Sequence, residues 1–134
     1  GMRRAGVVVV LLVAASLTGC TSQSCASWVN YESDEDRARD ADVVVLTDDI
    51  EPDGTMNILG FDANAYRVTV ADVEKGDVAV GEEIRVGSTA DNCSDAPYGP
   101  RDPMSQDGRL RLFLHVGETG LRTLTPFDGV RPAA

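Results

Sequence analysis

The stretch "GRLRLFLHV", Gly108 to Val116, decides how the rest of the chain is read. Leu110, Leu112, Leu114 and Val116 fall on one side of an extended chain, and Arg109, Arg111, Phe113 and His115 on the other, because successive strand side chains point to opposite faces. A strand with one apolar and one mixed face needs sheet neighbours, and the sequence offers them on both sides. Downstream, glycines at 117 and 120 turn the chain back through "LRTLTP", and the tail ends in Pro and Ala. Upstream, "EIRVGST" sets Ile84 and Val86 on a shared face. Before it, Tyr66, Val68, Val70 and Val73 alternate with Arg67, Thr69 and Asp72, and the slip after Val70 marks a bulge or bend near Ala71. The β-branched run "ADVVVLTD" gives a first strand at Asp42 to Thr47. "DDIEPDGT" reads as a turn opening onto a weaker strand, "MNILGFD". Ser33 is a helix N-cap followed by three acids, Asp34, Glu35 and Asp36, which predicts a short helix from Asp34 to Arg39. Residues Ala90 to Gln106, with three prolines and little periodicity, form a long connection. Five or six short strands and one short helix predict an all-β barrel or sandwich.

The N-terminus reads differently. "VVVVLLVAASLTGC", Val7 to Cys20, is apolar for about 13 residues, too short for a transmembrane helix of roughly 20. Arg3 and Arg4 precede it, and small residues precede Cys20, which is the order of a secretory signal. Its end, Leu-Thr-Gly-Cys, resembles the lipobox of bacterial lipoproteins. That resemblance implies that residues 1–19 are a signal peptide, that Cys20 carries lipid, and that the mature chain is anchored at the extracytoplasmic face of the cell membrane. Residues 20–24 are then a tether and residues 25–134 the domain.

All 22 acidic residues lie after Cys20, together with ten of the 12 basic ones, so the mature chain carries a net charge of −12. Such a surface repels phosphate backbones, which excludes nucleic acid as a partner, and it repels anionic headgroups, so the domain is expected to project away from the membrane. With Cys20 lipidated, Cys25 and Cys93 remain as a pair in an oxidising compartment. A disulfide is the default there, with free thiols or an intermolecular link as the alternatives. On the chain-entropy argument such a bridge stabilises the fold by roughly 4 kcal/mol.

Cys25, the acidic helix leading into "ADVVV", then "YRVTVADVEKGD", "GEEIRVGSTADNC", "GRLRLFLHV" and "GLRTLTPFDGVRP" together resemble the bacterial TIMP-like group, relatives of the tissue inhibitors of metalloproteinases and of netrin-type modules. The resemblance covers most of Cys25 to Pro132. It implies an OB-type barrel of five to six strands. Two departures matter: Gln23 stands where the group commonly has an earlier cysteine, and "PFDGVRP" lacks a C-terminal one. Zinc chelation by a free N-terminal cysteine, which the animal inhibitors use, is not supported when the mature end is a lipidated Cys20.

Candidate chemistry is sparse. His115 is the one histidine, on the mixed face of a strand, and no nucleophile-elbow motif accompanies it. The chain is therefore read as a non-enzyme without a cofactor. Asp49, Glu51 and Asp53 with Gly54 mimic the start of a calcium loop, but the twelfth position is Gly60, where a bidentate Glu is wanted. A solvated turn is the plainer account of them. Arg109, Arg111 and Phe113 mix charge with an aromatic ring as single-strand binders do, against the wrong overall charge. The plainer account places Phe113 under the helix and pairs the arginines with acids. Trp28, Tyr31 and Tyr98 are candidates for an interaction surface, while the plainer account has Trp28 and Tyr31 cap one end of the barrel next to the disulfide. The leading expectation is a cell-surface lipoprotein that binds an extracytoplasmic protein. The alternatives are an extracellular protease inhibitor and a calcium-binding or hydrolytic protein.

Overall fold

The computed structural model describes residues 27–133. Cys20, Cys25 and the apolar leader lie outside the described residues, and so do the expectations placed on them. One helix, α1 (Asp34–Asp40), starts at the N-cap Ser33, whose hydroxyl accepts a hydrogen bond from the Asp36 amide at 3.1 Å. It runs one residue beyond the expected Arg39. The remainder is all-β: β1 (Val43–Thr47), β2 (Asp49–Ile58), β3 (Phe61–Thr69), β4 (Asp72–Lys75), β5 (Glu83–Gly87), β6 (Leu110–Val116), β7 (Leu121–Thr123) and β8 (Val130–Pro132), with a 3-10 turn at Pro103–Ser105. The strands form one ladder in the order β2-β3-β5-β7-β6-β1-β4, with β8 added against β6. Neighbours are antiparallel except β5 and β7, which run parallel. By hydrogen bonds this ladder ends at β2 and β4 and is not a closed ring.

Eight strands replace the five to six expected, for local reasons. "DDIEPDGT" is not a turn: from Asp49 onward it lies within β2, paired to β3 across a bulge between Pro52 and Thr55. Gly54, at φ 77°, supplies the left-handed backbone of that bulge. Pro52 is tolerated because an edge strand can leave a missing N–H unpaired. "MNILGFD" is not one strand either. Ile58 faces Phe61 across a two-residue hairpin, with Leu59 at φ 52° and Gly60 at φ 85°. The bend expected near Ala71 falls between β3 and β4, at Val70 and Ala71. The tail, in which the sequence named no element, adds β8.

Three apolar clusters form among the described residues, the third joining Met56, Ile58, Ala63 and Ala65 of β2 and β3. The largest holds Leu110, Leu112 and Leu114 of β6 against Val43, Val45, Val68 and Val86. Val116, expected on the same inward face, is 60% exposed, because β6 runs past the end of the core there. Phe113 faces the other way and is buried with Val44, Ala41 and Leu124, with Ala38 of α1 and Tyr31 packed on it. The helix is fastened by Arg37, itself buried, whose guanidinium reaches Asp128 at 2.8 Å and Asp34 at 2.7 Å. Lys75 caps its far end, donating to the carbonyls of Ala38 and Arg39 at 2.9 and 3.3 Å.

Candidate functional site

The β6–β7 hairpin sets His115 directly opposite Arg122. Ser27 to Tyr31 runs beside this pair, and together they enclose a cleft of about 260 Å³ whose walls include Trp28, Tyr31, Asp40, His115, Arg122 and Leu124. A second hollow of about 360 Å³ lies on the other side, over the Leu59–Gly60 hairpin, and His115 and Arg122 line it too. The cross-strand pair is thus the wall between two neighbouring depressions. The exposed apolar side chains Leu59 and Val116 border the second.

The polar groups of the cleft differ in how well they are satisfied. The Tyr31 hydroxyl donates to Asp40, and burial together with that carboxylate pushes its pKa up to about 12. His115 Nδ1 lies 3.0 Å from Asp42 Oδ2, which also accepts from the Val116 amide at 2.8 Å. That fixes the imidazole, but among the described residues no hydroxyl or thiol bonds to it, so no nucleophile is aligned with His115. Arg122 is the exception. Its Nη1 reaches only the carbonyls of Leu124 at 3.3 Å and Thr123 at 3.5 Å, and no carboxylate lies within 4.0 Å among the described residues. Burial alone depresses its pKa, since nothing compensates the desolvated charge. The indole Nε1 of Trp28 is also buried without an acceptor among the described residues.

The other sequence candidates sit elsewhere. Tyr98, expected on the interaction surface with Trp28 and Tyr31, does not line their cleft. It is a structural pin: its hydroxyl accepts from the Asn64 amide at 2.8 Å and donates to the Ser88 carbonyl at 3.1 Å. Asp49, Glu51 and Asp53 stand along β2 rather than around a loop. Glu51 meets Arg67 at 3.2 Å, Asp53 meets Arg85 at 3.1 Å, and Asp49 accepts from the Thr69 hydroxyl at 3.4 Å. Among the described residues no group of three or more His, Cys, Asp or Glu is placed to hold a metal ion. Arg109 and Arg111 pair with Asp48 and Glu74, at 2.7 and 2.8 Å. Cys93 is disulfide-bonded.

Arg122 had no signal of its own in the sequence. Counting residues outward from the Gly117–Gly120 turn would have placed it beside His115. Its lack of a carboxylate partner among the described residues is a property of the fold alone.

Comparison with known proteins returns no matching family, no matching curated protein and no matching solved structure. Among the described residues no helix is long and apolar enough to cross a membrane.

Proposed function

We propose that the chain is an exported, lipid-anchored protein whose β domain wraps into an OB-type barrel and binds another extracytoplasmic protein through the Trp28–Tyr31–Arg122 cleft. The leader and the Leu-Thr-Gly-Cys motif support the anchor at Cys20. The bends support the barrel. β2 continues from β1 after one residue and β4 from β3 after two, so each end of the ladder is the continuation of a strand in its interior. Cross-links at the bend reinforce this: the Ala71 amide donates to the Leu46 carbonyl at 2.8 Å and the Thr47 hydroxyl to the Thr69 carbonyl at 2.7 Å.

The observation that carries the binding reading is the cleft itself, lined by two aromatic rings and a half-buried cation with no carboxylate within 4.0 Å among the described residues. Aromatic and arginine side chains are the usual energetic anchors of protein interfaces. Mass spectrometry of the native protein tests the anchor: a diacylated Cys20 at the mature N-terminus is expected, and an intact leader overturns it. Capture from the cell envelope by the mature chain carrying Cys20→Ser tests the binding. A specific partner lost on Trp28→Ala is expected. A partner retained by that variant overturns the cleft as the binding surface.

A further inference from the structure

We infer that the cleft receives the C-terminal carboxylate of a peptide, gripped by Arg122, with the neighbouring apolar residue lodged against Trp28 and Tyr31. The inference rests on the binding reading above and gives its partner a chemistry.

The chain has 22 acidic side chains against 12 basic ones, so a carboxylate is the easiest partner for any arginine to find. Arg37, Arg39, Arg67, Arg85, Arg109, Arg111 and Arg131 each have one within 4.0 Å. Arg101 lacks one but is exposed, so water solvates it. Arg122 is half-buried and still lacks one among the described residues. A partly buried guanidinium with no counter-charge is an unfavourable arrangement that an anionic occupant would relieve.

The guanidinium commits only Nη1, to two carbonyls, which leaves Nε and Nη2 as the two parallel donors that a carboxylate accepts bidentately. Room for the stem is kept by Gly117: a β-carbon there would come within 3.3 Å of Arg122 Nε. The negative groups facing the site are Asp40, occupied by the Tyr31 hydroxyl, Asp128, paired with Arg37, Asp42, occupied by His115 and the Val116 amide, and Glu118 in the adjoining hollow. These carboxylates, and the long-range field of an acidic chain, repel a run of acids. They select a ligand with one carboxylate among neutral neighbours, as at a peptide C-terminus. The aromatic walls and Leu124 favour an apolar last residue.

The experiment uses the mature chain carrying Cys20→Ser and the tripeptide N-acetyl-Ala-Ala-Leu as free acid and as C-terminal amide, with N-acetyl-Ala-Glu-Leu amide offering a side-chain carboxylate instead. Trp28 is the only tryptophan, so its fluorescence reports occupancy directly, and the Arg122 Nε–H resonance reports the contact. The free acid is expected to shift both signals and to bind about tenfold or more tightly than either amide. Arg122→Gln should abolish that preference, and Arg122→Lys should restore it only in part, since an ammonium lacks the fork. Equal binding of acid and amide, or no response to the acid at millimolar concentration, overturns the inference. So does a Glu amide as good as the free acid. Envelope capture separates the two levels: if Arg122→Gln still captures a partner that Trp28→Ala loses, the carboxylate inference fails and the binding surface stands.

Discussion

At the scale of single residues, the interior holds one unusual carboxylate. Asp102 is buried and accepts from the Ser88 hydroxyl at 2.6 Å, the Tyr66 hydroxyl at 2.7 Å, and the Asn64 side-chain amide and Met104 backbone amide at 2.9 Å each. No cation stands within 4.0 Å of it among the described residues, so four neutral donors do the work of a counter-ion. Removing one leaves part of a buried charge unsatisfied, and Tyr66→Phe is expected to cost about 1–3 kcal/mol in urea unfolding. The same bond sets an alkaline limit. Burial first, and then the Asp102 hydrogen bond, raise the Tyr66 pKa well above its ordinary value. In the unfolded chain a tyrosine ionises near pH 10. Above that pH the unfolded state loses a proton that the folded state keeps. Stability is therefore complete below about pH 10 and falls as pH rises toward the folded pKa, by up to about 1.4 kcal/mol per pH unit for each such group. Tyr66→Phe should reduce that slope by about one proton's worth in unfolding curves taken from pH 9 to 11. An unchanged slope would show that Tyr66 is not the group responsible.

At the scale of elements, the Lys75–Gly76 pair joins three pieces of structure. Lys75 reaches back to the last carbonyls of α1, and Gly76 lets the end of β4 pass against the start of β1. Gly76 has φ 105°, and a β-carbon there would lie 2.8 Å from Val43 Cγ2 and 2.9 Å from the Asp42 carbonyl. Gly76→Ala combines backbone strain with overpacking and is expected to cost about 2–5 kcal/mol. Gly81 is the matched control. Its φ is 86° but nothing lies within 4 Å of the added carbon, so Gly81→Ala should cost only the strain, about 1–3 kcal/mol. Equal losses from the two substitutions in chemical denaturation would remove the close approach as the cause. Elements were legible in the sequence where one physical signal dominated. The alternation from Leu110 to Leu114, the Ser33 cap and the slip at Ala71 all name their structures. β2 was hidden because Pro52 and Asp53-Gly54 signal a turn, whereas here they build a bulge at an edge. β8 is only three residues long, too short for a periodicity. The cleft was half visible: Trp28 and Tyr31 stand out by ring size, while Arg122 becomes distinctive only once every other arginine on the sheet has found its acid.

At the scale of the whole molecule, stability depends on joining segments far apart in the chain. Arg37 and Asp128 bond across 91 residues, linking the helix to the loop before β8. Cys93 sits at the exposed start of the long connection between β5 and β6 and is disulfide-bonded. We propose Cys25 as its partner, which would tie the residues leading into the Trp28 cleft to that connection. Closing the chain between positions 25 and 93 restricts the unfolded ensemble and stabilises the fold by about 4 kcal/mol on the chain-entropy argument. In the mature chain, Cys25→Ala and Cys93→Ala should therefore each lower the free energy of unfolding by that amount. The double variant should lose no more than either single one, because both remove the same bond. Cys20→Ser should change stability by less than about 0.5 kcal/mol. Reductant should destabilise the wild-type chain alone and leave the two alanine variants unmoved. A Cys25→Ala variant as stable as wild type beside a weakened Cys93→Ala would transfer the bond to another thiol. It would also detach the N-terminal segment from the part of the domain that the bridge was proposed to hold.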